Sequence, residues 1–250
     1  MIRIILNGCN GRMGKTITET LSGNENMKIT VGIDKGTSMK SEHTNIFSSI
    51  TEVTSEADVI LDFSSPESLD TLLEYATVKK LPLVLCTTGY TELQYELIRK
   101  TSSVIPIFHS GNMSLGINIL NAVLRNITPV LFGDYDIEII EKHHNQKIDA
   151  PSGTSLLLAN TIKTSINEKT DFIYGREGLK KREKTDIGIH AVRGGSIVGE
   201  HEVIFAGKGE IIELKHTALS REVFAVGAVK ACQFIVGKDP GLYNMDDVLS

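Results

Sequence analysis

The densest cluster of chemically reactive side chains in the sequence lies in residues 141–154, which read EKHHNQKIDAPSGT. Two adjacent histidines, His143 and His144, are followed by Lys147 and Asp149. Because a histidine has an ordinary pKa of about 6.5, it can give a proton to a bound molecule at neutral pH. Lysine adds a full positive charge at the same place. The stretch therefore predicts a site that binds a small anion and protonates it.

The end of this stretch predicts where the anion binds. Ser152, Gly153 and Thr154 open a predicted helix. The expected inner face of that helix is apolar: Leu156, Leu157, Ala159 and Ile162. The first N–H groups of a helix and its dipole favour a carboxylate. A carboxylate clamp beside an acid suits the reduction of a C=C or C=N bond, because a hydride and a proton must reach neighbouring atoms.

Three other interpretations of these residues stay open. Ser152 can cap the helix and do nothing more. The two histidines can be solvated residues at the end of a strand. They can also be metal ligands, with His190, His201 and His216 as partners. Adjacent histidines without an HxxxH or HEXXH pattern disfavour the metal site, so we expect no metal.

A glycine-rich turn, Gly8-x-x-Gly11-x-x-Gly14, follows the apolar run of residues 2–6. Glycine lets the backbone turn tightly and approach a pyrophosphate, which the N-terminus of the next helix then binds. Asp34 ends the following predicted strand, where a carboxylate accepts hydrogen bonds from ribose hydroxyls. In this βαβ context the turn predicts a dinucleotide site rather than a turn that serves packing alone.

Charged neighbours of the turn bear on the choice of cofactor. Asp34 favours the unphosphorylated ribose of NADH, whereas Lys35 and Arg12 can pair with the 2′-phosphate of NADPH. We expect the protein to use both NADH and NADPH, with NADH at least as good.

Strands and helices alternate through residue 114, which predicts a doubly wound parallel sheet, the Rossmann arrangement. Polar turns follow three of the strands, at residues 62–65, 87–89 and 110–114. Ligands of such a sheet bind at the carboxyl ends of its strands. We expect these turns to position the nicotinamide half of the cofactor, although each alone is also ordinary turn chemistry.

The pattern changes after residue 114, where we place a domain boundary. Alternating runs at residues 134–141, 187–192, 197–206 and 211–216 predict an open mixed or antiparallel sheet of about four strands. Residues 167–185 are polar and predict a long exposed segment. A helix over residues 222–236, with Ser220 as its cap, is expected to return to the first domain. A symmetry mate could cover the open edge of the sheet.

Composition excludes several classes of protein. The net charge of −5 argues against a protein that coats nucleic acid or anionic membranes. Met1 leads directly into a predicted strand, and no apolar run approaches the length of a membrane span, so we expect a cytoplasmic protein. The cysteines contain no CxxC pair, which disfavours a zinc-thiolate site and a disulfide framework. They are Cys9, Cys86 and Cys232.

Two motifs resemble those of the dihydrodipicolinate reductase family (4-hydroxy-tetrahydrodipicolinate reductases), enzymes of the diaminopimelate route to lysine. One is Gly8-x-x-Gly11-Arg12-Met13-Gly14, and the other is Glu141-x-His143-His144-x-x-Lys147-x-Asp149-Ala-Pro-Ser-Gly-Thr154. Shorter matches extend the resemblance over essentially the whole chain. Cys9, Cys86, Gly111 and Ser155 depart from the commonest family choices and leave only fine cofactor contacts in doubt.

The resemblance assigns roles to single residues. It implies that His143 is the proton donor and that Lys147 is its partner. The implied contacts of the substrate carboxylate are His144, Gly153 and Thr154, next to Ser152 at the predicted helix start. The resemblance also implies dinucleotide contacts, to which Lys35 is added because of its charge next to Asp34. The implied contacts are Gly8, Cys9, Asn10, Gly11, Arg12, Met13, Asp34, Cys86, Thr87, Thr88, Ser110, Gly111, Asn112 and Met113.

The resemblance also implies a reaction and an assembly. The reaction is the NAD(P)H-dependent reduction of a cyclic imine dicarboxylate to tetrahydrodipicolinate, and the assembly is a homotetramer built through the second sheet. Residues 1–114 and 223–250 would bind the dinucleotide, residues 115–222 would bind substrate and form the tetramer, and the two connections would be hinges. Two alternatives are a different nicotinamide dehydrogenase and an NAD(H)-binding redox sensor without catalysis.

Overall fold

The computed structural model describes residues 1–36 and 45–250, which form two compact units. The first unit comprises Met1–Ser114 and Arg221–Ser250, and the second comprises Leu115–Ser220. Residues 36–56 are polar and poorly periodic, which predicts a long connection, and residues 37–44 of it lie outside the described residues. No helix in the described ranges is long and apolar enough to cross a membrane.

The first unit contains, among its described residues, a sheet of seven parallel strands in the order β12-β6-β5-β4-β1-β2-β3. The strands are β1 (Ile2–Asn7), β2 (Met27–Ile33), β3 (Asn45–Phe47), β4 (Val59–Asp62), β5 (Leu83–Leu85), β6 (Pro106–His109) and β12 (Gly241–Tyr243). Ile4, Ile5 and Leu6 are completely buried. Since successive strand residues point to opposite faces, both faces of the sheet are covered. The predicted doubly wound parallel sheet is confirmed.

Helices connect these strands: α1 (Arg12–Thr20), α2 (Leu69–Lys79), α3 (Glu92–Ser102), α6 (Glu222–Ile235) and α7 (Met245–Leu249). Helix α6 packs against α1 and against β4, β5 and β6. Gly227 lets α6 lie close to the backbone of Met113, because a Cβ at this position would lie 1.7 Å from the carbonyl oxygen of Met113. The two ends of the chain thereby form one unit.

Several details of the first unit differ from the sequence prediction. The connection before β4 contains two short elements, β3 and a 3-10 helix at Ile50–Glu52. The Ser65-Pro66 pair predicts a helix start with Ser65 as its N-cap, but Ser65 precedes another 3-10 helix, Pro66–Ser68, and makes no side-chain cap hydrogen bond. Arg221, rather than Ser220, is the N-cap residue of α6. Strand β12, of three residues, and helix α7, of five, were not predicted, because both are too short to show a period.

The second unit, all of whose residues are described, is a mixed sheet of five strands with two helices. The strands are β7 (Asp136–His143), β8 (Asp171–Tyr174), β9 (Asp186–Arg193), β10 (Gly199–Ala206) and β11 (Ile211–Ala218). Their order is β11-β10-β7-β9-β8. Strand β7 pairs antiparallel with β10 and parallel with β9. Its residues alternate in burial, as the sequence pattern predicted.

Helices α4 (Leu115–Leu131) and α5 (Gly153–Thr164) pack on this sheet and form its core. The predicted inner face of α5 is confirmed at Ala159 and Ile162, which are completely buried. Leu156 and Leu157 are only partly buried, and Leu158 is completely buried instead. The expected exposed segment at residues 167–185 contains β8, which makes five strands instead of about four. Four residues beside a parallel neighbour give too weak a pattern to identify.

Candidate active site

The glycine-rich turn between β1 and α1 has a shape that only glycine permits. Gly8 has a φ of +82°, and a Cβ on it would lie 2.6 Å from the carbonyl oxygen of Phe63. A Cβ on Gly14 would lie 2.3 Å from the carbonyl oxygen of Gly8. Helix α1 then begins at Arg12 without a side-chain cap. The turn therefore presents bare backbone and the start of a helix, which is what a pyrophosphate requires.

A cavity of about 360 Å³ begins at this turn. Its lining includes Gly8, Gly11, Asp34 and Lys35. The Asp34 carboxylate accepts hydrogen bonds from the backbone N–H of Asn10 at 3.0 Å and of Gly36 at 2.9 Å. These bonds fix the carboxylate next to the cavity, where it can meet ribose hydroxyls. The cavity thus fits the adenosine side of a dinucleotide.

A second cavity of about 300 Å³ in the same unit brings together the other predicted cofactor residues. Its lining consists of Arg12, Met13, Phe63, Cys86, Thr88, Ser110, Gly111, Asn112, Met113, Arg221 and Phe224. Phe63, Arg221 and Phe224 were not predicted as contacts. Arg221 and Phe224 are more than 200 positions from the glycine turn, and no local pattern could have indicated them.

Two predicted contacts have other partners. Cys9 is half-buried next to Gly32, and burial followed by the charge of Asp34 raises the pKa of its thiol to about 11. Its thiol is therefore protonated and unreactive at neutral pH. Thr87 is buried and donates its hydroxyl hydrogen to Asp62 Oδ2 at 2.7 Å.

Asp62 ties together three strand ends of the first sheet. Besides Thr87, its carboxylate accepts hydrogen bonds from Asn7 Nδ2 at 2.7 Å and from Ser64 Oγ at 2.5 Å. The carboxylate is completely buried, and burial raises its pKa against the effect of these donors. Within the turn at residues 62–65, which was predicted to contact the cofactor, Asp62 is thus a buried hydrogen-bond acceptor that holds the neighbouring strand ends in place.

In the second unit, His143 is the last residue of β7 and is largely buried. Its Nδ1 lies 2.6 Å from Oε2 of Glu141. Burial lowers the pKa of His143, and the hydrogen bond and charge of Glu141 oppose that shift. Lys147 and Arg193 lower this pKa further through their positive charges. A negatively charged ligand here would favour the protonated ring.

Glu141 has no exposed surface, yet it is ionised. Arg193 donates Nη1 to Oε2 and Nη2 to Oε1, each at 2.7 Å. The backbone N–H of Ser152 donates to Oε1 at 2.9 Å. Burial raises the pKa of Glu141, but these bonds and the one from His143 outweigh it, and the pKa is lowered. Neither Glu141 nor Arg193 was predicted from the sequence as a functional residue.

The hydroxyl of Ser152 has two protein partners. Its Oγ accepts the N–H of Ser155 at 3.1 Å and lies 3.0 Å from Nε2 of His201. This is the capping role that the alternative interpretation gave it. Burial, and then the charge of His143, lowers the pKa of His201 to about 4, so this ring is neutral at neutral pH. The ring of His201 meets that of His143 edge to face at 5.1 Å.

The predicted anion site at the start of α5 is open. A Cβ on Gly153 would meet no atom within 4 Å, and the residue is exposed. Lys147 donates to Asp149 Oδ1 at 2.8 Å, and its backbone N–H donates to the carbonyl of His144. The hydrogen-bond partner of His143 is thus Glu141, while the side chain of Lys147 pairs with Asp149. In the described part of the chain, no group of three His, Cys, Asp or Glu residues could hold a metal ion.

The first unit has a parallel sheet of the Rossmann type and the second unit a mixed sheet, a fold that recurs in solved structures. A probable dehydrogenase from Thermotoga maritima has this fold at a TM-score of 0.62 and 11% identity, covering 99% of this chain and 92% of that one. A dipicolinate-bound dihydrodipicolinate reductase from Paenisporosarcina sp. TG-14 aligns with a TM-score of 0.84 and 24% identity over 100% of both chains.

Two family models identify the family to which the chain belongs. The model "Dihydrodipicolinate reductase, N-terminus" matches residues 2–113, and "Dihydrodipicolinate reductase, C-terminus" matches residues 116–249. The 4-hydroxy-tetrahydrodipicolinate reductase of Clostridium novyi (strain NT) is 61% identical, over 100% of this chain and 98% of the relative. The chain belongs to the dihydrodipicolinate reductase family.

Proposed function

We propose that this protein catalyses the NAD(P)H-dependent reduction of 4-hydroxy-tetrahydrodipicolinate, or of its dehydrated form, to tetrahydrodipicolinate, a step of diaminopimelate and lysine biosynthesis. The observation that carries the proposal is the Glu141–His143 pair beside the open start of α5, in a chain so similar to a reductase of that name. An acid next to a carboxylate site is the chemistry that this reduction needs.

The first unit would hold the cofactor. The backbone of residues 8–13 would hold the pyrophosphate, and Asp34 would accept the ribose hydroxyls. Thr88 and residues 110–113, which line the second cavity, would hold the nicotinamide half. When bound, the reduced nicotinamide supplies a hydride. We propose that both NADH and NADPH are used, because Lys35 lines the same cavity as Asp34, with NADH at least as good.

The second unit would hold the substrate. The N–H groups of Gly153 and Thr154 would bind one carboxylate at the start of α5. Lys147 adds a positive charge, and its side chain keeps 20% of its surface exposed. His144, the first residue after β7, is the further carboxylate contact. Together these groups would orient a dicarboxylate next to His143.

His143 would deliver the proton. In the free protein its pKa lies below the ordinary value, chiefly because of burial. A dicarboxylate bound nearby favours the charged imidazolium, because opposite charges within about 4–6 Å stabilise each other. Substrate binding would thus raise the protonated fraction of His143 when a proton is needed. Lys147 is the second candidate donor, because its ammonium carries protons and is close enough for its charge to act on His143.

Assembly and location complete the proposal. We propose a homotetramer formed through the five-stranded sheet, whose edge strand β11 exposes alternate residues beginning with Ile211. An unpaired edge is a natural surface for a second copy. We also propose that the protein acts in the cytoplasm, where its substrate would be made.

The direct test is an assay with freshly generated substrate, made by the synthase that precedes the reductase. The loss of reduced-nicotinamide absorbance is followed with NADH and with NADPH, and tetrahydrodipicolinate is identified as the product. Oxidation with some other imino or oxo acid, and none with this substrate, would replace the proposal by a different dehydrogenase activity.

Lysine variants test the substrate site. Lys147→Met should lower kcat/KM by about 10²-fold or more, because it removes a charge and a donor. Lys142→Met is the matched control: Lys142 belongs to the same strand as His143 but pairs with Glu200. Binding of NADH, followed by its fluorescence, should be the same in both variants. Equal turnover in the two variants would remove Lys147 from the site.

A further inference from the structure

We infer that Glu141 and Gly199 together select the nitrogen of His143 that delivers the proton: Glu141 keeps a hydrogen on Nδ1, and Gly199 leaves Nε2 uncovered for donation. The inference deepens the proposed function and rests on His143 as the acid. In it, Glu141 and Gly199 are positioning residues. They determine which nitrogen of the His143 ring donates the proton.

The first step concerns Nδ1. An ionised carboxylate can only accept hydrogen bonds, so the 2.6 Å contact with Glu141 Oε2 requires a hydrogen on Nδ1 of His143. Glu141 stays ionised because Arg193 binds both of its oxygens. Nδ1 therefore carries a hydrogen in the neutral ring and in the charged ring alike. The proton that comes and goes must be the one on Nε2.

The second step concerns charge. Arg193 forms two hydrogen bonds to Glu141, so the carboxylate that touches His143 is part of a nearly neutral ion pair. Glu141 and Arg193 act on the ring in opposite directions, since the former favours the imidazolium and the latter disfavours it. The main effect of Glu141 is therefore to orient the ring and fix its tautomer, as a carboxylate does for a general-acid histidine.

The third step concerns Nε2. The atom nearest to a Cβ built on Gly199 is Nε2 of His143, at 3.2 Å, followed by Cδ2 of the same ring at 3.5 Å. Any side chain at position 199 would therefore press on the nitrogen that has to donate. Gly199 does not have a positive φ, so the backbone itself would accept alanine. What glycine provides here is access to Nε2.

The remaining wall of the ring is His201. Its ring lies edge to face with that of His143, and its Nε2 is occupied by Ser152. The charged and titratable groups around His143 are thus Glu141 on its own strand, Lys147 on the following turn, Arg193 on β9 and His201 on β10. With Nδ1 bound to Glu141 and His201 occupied, Nε2 is the ring atom available to a bound molecule.

The decisive experiment is ¹⁵N NMR of the full-length protein with labelled histidine, with His143→Gln used to assign the signal. Above its pKa the wild-type ring should show a protonated Nδ1 and a bare Nε2. Glu141→Gln should lose this preference, and Glu138→Gln, the same substitution on the other face of β7, should keep it. A neutral wild-type ring with hydrogen on Nε2 would overturn the inference.

A kinetic experiment tests access. Gly199→Ala should lower kcat by about tenfold or more, as small misplacements at a reacting group do, and should leave the NADH dissociation constant unchanged. KM should change less than kcat. A variant with wild-type kcat and unchanged thermal unfolding would contradict the role of Gly199.

The two levels of proposal fail differently. If the wild type does not reduce the substrate, the proposed function is wrong, whatever the tautomer. If the wild type is active and His143→Gln retains full turnover, the reduction stands, but His143 is not the acid and the inference about Glu141 and Gly199 falls with it. If His143→Gln is inactive while the neutral ring carries its hydrogen on Nε2, the function stands and the assignment of Glu141 and Gly199 is wrong.

Discussion

Strand β7 carries two networks made of the same residue types on its opposite faces. On the inner face, Glu141 binds His143 and Arg193. On the outer face, Glu138 binds His190 at 2.7 Å and Arg176 at 2.7 Å, with Arg182 at 3.1 Å. Each network thus joins a carboxylate of β7 to a histidine and to arginine, and the two carboxylates stand three positions apart on the strand.

The networks differ in which ring nitrogen meets the carboxylate. His190 uses Nε2, the nitrogen farther from its backbone, whereas His143 uses Nδ1. Glycine also serves the networks differently. A Cβ on Gly188 would overlap the Glu138 carboxylate, at 1.7 Å, while a Cβ on Gly199 would cover Nε2 of His143. In the outer network glycine makes room for an ion pair, and in the inner one it leaves open the nitrogen that we propose as the proton donor.

Burial is the second difference. The Glu141 side chain is 0% exposed and the Glu138 side chain 21%. A fully buried ion pair is costly unless every acceptor is satisfied, whereas a partly exposed pair is screened by solvent. The comparison teaches that residue type alone does not identify an active histidine; the nitrogen it leaves open and the burial of its partner do.

The largest expected difference between the networks is in catalysis. His143→Gln should lower kcat by about 10²–10⁴-fold, the usual contribution of a general acid. His190→Gln, the matched control, should retain wild-type kcat because Nε2 of His190 is taken by Glu138. Steady-state kinetics with saturating NADH measures both. Similar losses in the two variants would break the distinction.

The next largest expected difference is in how much each of the two carboxylates contributes to the stability of the fold. Glu141→Ala removes the fully buried member of an ion pair, leaves the partly buried Arg193 without its carboxylate, and should lower the free energy of unfolding by about 3 kcal/mol. Glu138→Ala acts on a partly exposed cluster and should cost about 1 kcal/mol. Urea unfolding at neutral pH gives both values. A larger cost for Glu138→Ala would show that the outer network is the stabilising one.

The pH dependence of stability reports on the inner face. The pKa of His201 is about 4 in the folded protein and about 6.5 in an unfolded chain. Between these pH values His201 binds a proton in the unfolded state but not in the folded state, so the stability of the fold falls as the pH drops from 6.5 towards 4. His201→Gln should reduce this slope by up to about 1.4 kcal/mol per pH unit. Urea midpoints at stepped pH values measure it, and an unchanged slope would contradict the burial of His201.

Salt should produce the smallest effect. The stability loss of Glu138→Gln should shrink by a few tenths of a kcal/mol between low and high NaCl, because screening weakens partly exposed pairs. The loss of Glu141→Gln should change less, since its pair is buried. Parallel urea titrations at the two salt concentrations test this, and the reverse order would contradict the assigned exposures.

The sequence predicted the elements that have a strong local pattern. The glycine turn, the parallel strands of the first unit and the alternation of residues 137–143 are confirmed. Weak or short patterns failed, as at β8 and β12. Capping was predicted correctly at Ser152, where a hydroxyl stands directly before the helix. It was wrong at Ser220, because α6 begins at Glu222, as predicted, and the N-cap position therefore falls on Arg221.

For the candidate site, the sequence identified His143, Lys147 and Gly153 as reactive or binding groups, and these roles stay predictions. It paired His143 with Lys147, whereas the structure gives His143 a hydrogen bond to Glu141, two residues earlier. Residues i and i+2 of a strand share a face, so this contact was available from the pattern. Arg193 and Gly199 come from other strands, and only pairing brings them to β7.

By itself the sequence determined which groups exist and which elements carry them: the glycine turn with Asp34, the histidine stretch, and the family to which the chain belongs. These depend on local periods and spacings, which a linear pattern records. Only the tertiary structure decided that Glu141 is buried and ionised, that Arg193 donates to both of its oxygens, and that Nε2 of His143 faces a glycine. Burial, ionisation and tautomer are set by neighbours from distant strands, and therefore by the register of the sheet.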